Sequence, residues 1–81
     1  MAWSIERQED GTYRYSAASS AWGAVVGDAA TLAEAKVRLA IGEAALYEAP
    51  YPPAVREAML ADPERFAADW PDPEIKEGAR G

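Results

Sequence analysis

Carboxylates are the side chains with most chemical potential in this chain: fourteen Asp and Glu stand against eight Lys and Arg, with no His and no Cys. Without His, the usual neutral-pH base and the commonest transition-metal ligand are missing. Without Cys there is no thiolate nucleophile, zinc–thiolate site or disulfide. A glycosidase-like carboxylate couple needs a cleft to hold a substrate between its members, and a chain this short, rich in Ala, has few large apolar residues with which to build one. Asp69, Asp72 and Glu74 are spaced closely enough to suggest a magnesium site, but solvated acids account for them. Gly23 and Gly27 do not make a phosphate-cradling motif. No catalytic residue, metal or cofactor is expected.

The stronger signal runs from Asp62 to Glu77, where six acids outnumber two bases and Phe66, Trp70 and Ile75 are interleaved. Aromatics supply anchor area at an interface, and surrounding acids steer and discriminate. The net charge of −6 is concentrated in the second half of the chain. That disfavours direct contact with a phosphate backbone and favours a basic, nucleic-acid-handling protein as partner. The candidate partner-binding residues are therefore Asp69, Trp70, Asp72, Glu74, Glu64 and Tyr51. Phe66 is the aromatic expected to fold back into the core, over Val37, Ala40 and Ala44.

These residues need a scaffold, and one long helix organises it. Thr31 with Glu34 three positions later forms a capping box, followed by strong helix formers to Leu46. Leu32, Ala35, Leu39, Gly42 and Leu46 fall in one stripe; Ala33, Val37, Ala40, Ala44 and Tyr47 fall in a second. Lys36 and Glu43 lie between the stripes on one flank, and Glu34, Arg38 and Glu48 on the other. The first stripe suits a sheet, with Gly42 leaving room for an aromatic ring. The second requires cover from the chain's own C-terminal part or from a second copy, in which case Val37, Ala40, Ala44 and Tyr47 would be an oligomer seam.

Before the helix, residues 2–8 and 12–18 alternate with period two, as half-buried strands do. Asp10-Gly11 supplies the turn between them. Trp3, Ile5, Tyr13 and Tyr15 share the inward face, and Ala21 to Val26 reads as a third strand with Trp22, Ala24 and Val26 facing the helix. After the helix, Pro50, Pro52 and Pro53 stiffen the connection. A second helix is expected over 54–61, with Val55, Met59 and Leu60 inward, and a third from Asp62-Pro63 to about Trp70. The fold expected is α+β: a three-stranded antiparallel meander under one long helix, then one or two short helices. Residues 1–73 form a single domain, with 74–81 a frayed tail.

Strand, Glu9-Asp10-Gly11-Thr12-Tyr13, strand, strand, Gly27-Asp28, Thr31-Leu32-Ala33-Glu34-Ala35, helix: this order resembles the N-terminal part of HicB-like antitoxins, where a GDT-x-EEA-like turn opens the helix. The resemblance spans residues 3–47, departs by the insertion of Ala29-Ala30 before Thr31, and includes no DNA-binding tail. The overall format is also similar to small phage-encoded inhibitors, anti-CRISPR proteins among them. Both resemblances imply a protein that neutralises another protein by covering its working surface. The expectation is a non-enzymatic inhibitor of a nucleic-acid-processing system, of phage or mobile-element origin, acting in the bacterial cytoplasm. It would bind a basic protein or complex rather than nucleic acid or membrane, and as a monomer rather than a homodimer. The alternatives are a HicB-like antitoxin acting on a toxin and a homo-oligomerising structural module.

Overall fold

The computed structural model describes residues 2–19, 23–73 and 75–77. Three strands, β1 (Ala2–Arg7), β2 (Tyr13–Ser19) and β3 (Gly23–Ala29), precede α1 (Leu32–Leu46). The helices α2 (Pro53–Ala61) and α3 (Pro63–Ala67) follow, and then a fourth strand, β4 (Ile75–Glu77). The sheet order is β3-β2-β1-β4. β1–β2 and β2–β3 are antiparallel, whereas β4 runs parallel to β1 with Ile5 opposite Ile75. The α+β class is as expected, but the antiparallel meander is corrected to a mixed four-stranded sheet. The frayed tail is corrected over the three residues of β4, which escape disorder by completing β1's otherwise unpaired edge. Glu74 and residues 78–81 lie outside the described residues, as do Ala21 and Trp22.

The turn between β1 and β2 is fixed by side-chain chemistry. Gly11 adopts φ +89°, and the Asp10 carboxylate accepts from the Thr12 amide at 2.9 Å and its hydroxyl at 2.6 Å. These bonds favour the ionised form and hold the Asp10 carboxyl below its ordinary value. At the start of α1, Thr31 Oγ1 accepts from the Glu34 amide at 3.1 Å. Glu34 reaches back one residue further than an ordinary capping box, accepting from the Ala30 amide at 3.0 Å. Arg38 donates to its other oxygen at 2.8 Å, and Arg38 first, then the Ala30 amide, keeps the Glu34 carboxyl below its usual range. The helix ends in a Schellman arrangement: Glu48 sits at φ +59° and the Ala49 amide donates to the Ala44 carbonyl at 2.9 Å.

Two apolar clusters lie on opposite sides of α1. Between sheet and helix, Ile5, Tyr15, Ala17, Ala29, Ala35 and Leu39 are buried, with Trp3, Tyr13, Val25 and Leu32 packed on them. The first stripe therefore faces the sheet as expected. The third strand does not. Val25, Gly27 and Ala29 face inward, while Ala24 is exposed and Val26 is 67% exposed, the reverse of the expected parity. The reason is at Gly27, which stands opposite Tyr15 in the register. A Cβ there would collide with the Tyr15 ring and hydroxyl, so the phenol occupies the space that a side chain would take. Gly42 does admit a close neighbour, but it is Val25 rather than an aromatic ring: a Cβ would lie 2.6 Å from Val25 Cγ1.

On the other side of α1, Val37, Met59 and Ala67 are buried, with Ala33, Ile41, Tyr51 and Trp70 packed around them. The chain's own α2 and α3 thus cover the Ala33 and Val37 part of the second stripe. Of the expected inward residues of α2, only Met59 is buried; Val55 and Leu60 are 38% and 39% exposed. Ala67, not Phe66, is the residue that α3 buries, and the helix stops there rather than at Trp70.

Candidate protein-binding surface

The flank of α1 that carries Lys36 and Glu43 ties the sheet to the C-terminal segment. Glu43 Oε2 accepts from the Trp3 indole N–H at 3.0 Å. Trp3 meets Trp70 edge to face, with ring centroids 6.5 Å apart and planes at 68°, a favourable arrangement of ring quadrupoles. Lys36 is buried; its Nζ donates to Asp72 Oδ1 at 2.5 Å and to the Trp70 carbonyl at 3.4 Å. This row of contacts holds residues 70–72 against α1 and leads the chain on to β4. Lys36 and Glu43 are seven residues apart on one helical face, a spacing that could have marked the flank as a docking track.

The proposed binding residues separate accordingly. Asp69 and Glu64 are exposed, as is Asp62. Asp62 also caps α3, accepting from the Arg65 amide at 3.4 Å. Asp72 is largely exposed but engaged by Lys36. Trp70 and Tyr51 are half-buried in the second cluster, so each has at most part of a ring to offer. Glu74 lies outside the described residues. Phe66, expected in the core, is exposed and stands between Glu64 and Asp69 in sequence. The structure therefore brings Glu64, Phe66 and Asp69 to the surface of one short segment and withdraws Trp70 and Tyr51. Glu64 also borders a shallow groove between α3 and the first turn of α1, lined by Leu32, Ala33, Lys36 and Ala67.

Among the seam residues, Val37 is fully buried by α2 and α3, Ala40 and Ala44 are half-buried, and Tyr47 alone is exposed. No group of three or more His, Cys, Asp or Glu among the described residues could hold a metal ion. No helix among them is long and apolar enough to cross a membrane.

The Lys36–Asp72 contact changes what a charge substitution there would do. Asp72→Ala would leave a buried ammonium with only the Trp70 carbonyl and solvent. We expect a loss of about 1–3 kcal/mol, toward the lower end because Asp72 itself is well solvated. The check is urea denaturation of Asp72→Ala beside Asp69→Ala, which should unfold at nearly the wild-type midpoint.

Compared with known proteins, the chain matches no family, no curated protein and no solved structure.

Proposed function

We propose that this protein is a non-enzymatic inhibitor that covers a basic surface of a nucleic-acid-processing protein or complex, in a phage or mobile-element setting. The observation that carries the reading is the segment Asp62–Asp69, in which Glu64, Phe66 and Asp69 are exposed and Phe66 offers an aromatic anchor between the two acids in sequence. The chain has a net charge of −6, so the long-range field favours cationic partners. The segment is held at its base by the Trp3–Trp70 and Lys36–Asp72 contacts, which reduces the entropy lost on binding. Glu64 and Asp69 steer the encounter, Phe66 retains the complex, and Asp72 serves the protein's own structure.

The test begins with capture of the partner from a bacterial host lysate and continues with association kinetics at two salt concentrations. The double substitution Glu64→Lys, Asp69→Lys should slow association by about tenfold or more at low salt. The difference should shrink as salt screens exposed charges beyond about 8 Å. Phe66→Ala should act on dissociation instead, by removing an anchor. Glu64 and Asp69 are exposed, so the melting temperature of the double Lys variant should hold. An association rate untouched by the double Lys substitution overturns the proposal.

A further inference from the structure

The two edges of the sheet are treated differently. β4 closes one edge with three residues and a Lys at its centre, a short, charged edge of the kind that resists further pairing. β3 forms the other edge with seven residues, Gly23–Ala29. It has no Pro and no Lys, and its pairing with β2 runs from Tyr13↔Ala29 to Ser19↔Gly23 without a bulge. Among the described residues, no strand pairs with its outer side. Its single charge, Asp28, is neutralised within the sheet by Arg14, whose Nε donates to Oδ1 at 3.1 Å. An edge that lacks the devices that normally block strand addition is a template for another strand.

We propose that the strand it takes is β3 of a second copy, paired antiparallel about Val26. The sequence Gly23-Ala24-Val25-Val26-Gly27-Asp28-Ala29 is self-complementary in that register. Val26 opposes Val26 of the second copy, Val25 opposes Gly27, and Ala24 opposes Asp28. On the outer face, the two exposed Val26 side chains meet at the centre and are removed from water together. The two Asp28 carboxylates fall four residues apart along the strands, about 13 Å at ~3.3 Å per residue, which is farther than physiological screening length. The seam is therefore nearly uncharged in a protein whose net charge of −6 would oppose most other self-contacts. A two-fold pairing of this kind keeps both copies of α1 on the same side and yields one continuous sheet, β4-β1-β2-β3-β3-β2-β1-β4. The covered helix stripe takes no part, so this dimer is distinct from one made through Val37 and Ala40.

The test uses Val26, because its side chain is exposed and a substitution should not disturb the core. Sedimentation velocity over a wide concentration series should show the wild type in monomer–dimer exchange. Val26→Asp and Val26→Lys each place like charges directly opposite one another and should each weaken the dimer by about tenfold or more, at unchanged melting temperature. An equimolar mixture of the two variants should then dimerise again, because each acid faces a base only if Val26 opposes itself across the seam. A wild type that stays monomeric throughout, including one that accepts only strands of other proteins, overturns the proposal. So does a mixture that fails to recover.

Discussion

Val37→Asp should unfold the protein at neutral pH, or nearly so. Val37 is fully buried in a cluster with Met59 and Ala67. An ionised carboxylate there is removed from water, and such burial lies in the tail of substitution effects, at about 4 kcal/mol or more. An 81-residue domain has about 4–12 kcal/mol of stability in total, at roughly 0.05–0.15 kcal/mol per residue. The sign with pH follows from linkage. Burial raises the carboxyl's folded-state pKa above its unfolded value of about 3.9. The penalty is therefore absent below that value and grows as pH rises through the folded-state pKa. The gap in stability between variant and wild type should narrow toward about pH 4, which paired urea titrations by circular dichroism at several pH values would reveal. The same substitution separates self-cover from a helix-to-helix dimer. If a second copy covered this stripe, the variant would be a folded monomer. With α2 and α3 as the cover, it unfolds whatever its concentration. Ala40→Glu, at a half-buried position on the same stripe, should have the same direction and a smaller size.

The second large effect is expected at Gly42. Glycine in a helix interior costs about 1 kcal/mol against Ala, so propensity alone predicts that Gly42→Leu stabilises. Packing predicts the opposite, and its magnitude decides. A Cβ alone would lie 2.6 Å from Val25 Cγ1 and 3.0 Å from Cγ2. Val25 is a short β-branched side chain fixed to a central part of β3, so the neighbour cannot swing aside as a flexible chain end would. Three further carbons must then displace the helix from the sheet. Overpacking of this kind loses typically about 1–3 kcal/mol, and the backbone shift makes the upper part of that range the expected result after the propensity gain is subtracted. A thermal melt that rises above wild type would show that Gly42 does not touch the sheet.

What the sequence made legible was what local rules decide. The Thr31–Glu34 cap, the Asp10-Gly11 turn, the alternation of Trp3, Ile5, Tyr13 and Tyr15, and the stripe from Leu32 to Gly42 each declare themselves within a few residues. The third strand is composed of Gly, Ala and Val, whose contrast between faces is too weak to set parity, and a one-residue error exchanges both faces. Its inward glycine is explained only by Tyr15 across the ladder. Lys36 reads as a solvated helix charge until Asp72 is brought to it from half a chain away. Ile75 between charged neighbours reads as tail because the groups that order it belong to β1. For the binding surface, the acidic character of Asp62–Glu77 was legible. Which aromatic faces solvent was not, because α3 is a single turn and a half, and a shift of one residue exchanges Phe66 for Ala67 as the buried position.

The parallel pairing of β4 with β1 also bears on the order in which the molecule assembles. Ile5 and Ile75 come together across nearly the whole chain, so their contact is reached only after most of the loop-closure entropy has been lost. β1–β2–β3 and α1 can form from local contacts, but β1's second edge stays bare until the last described strand arrives. A nascent chain therefore carries, for a time, two open sheet edges instead of one. With only three residues in β4, the same edge is the first place where the finished protein can reopen. Amide exchange along Ile5–Arg7 should accordingly be faster on the β4 side than on the β2 side, and it is there that a protease or a foreign strand would find its first purchase.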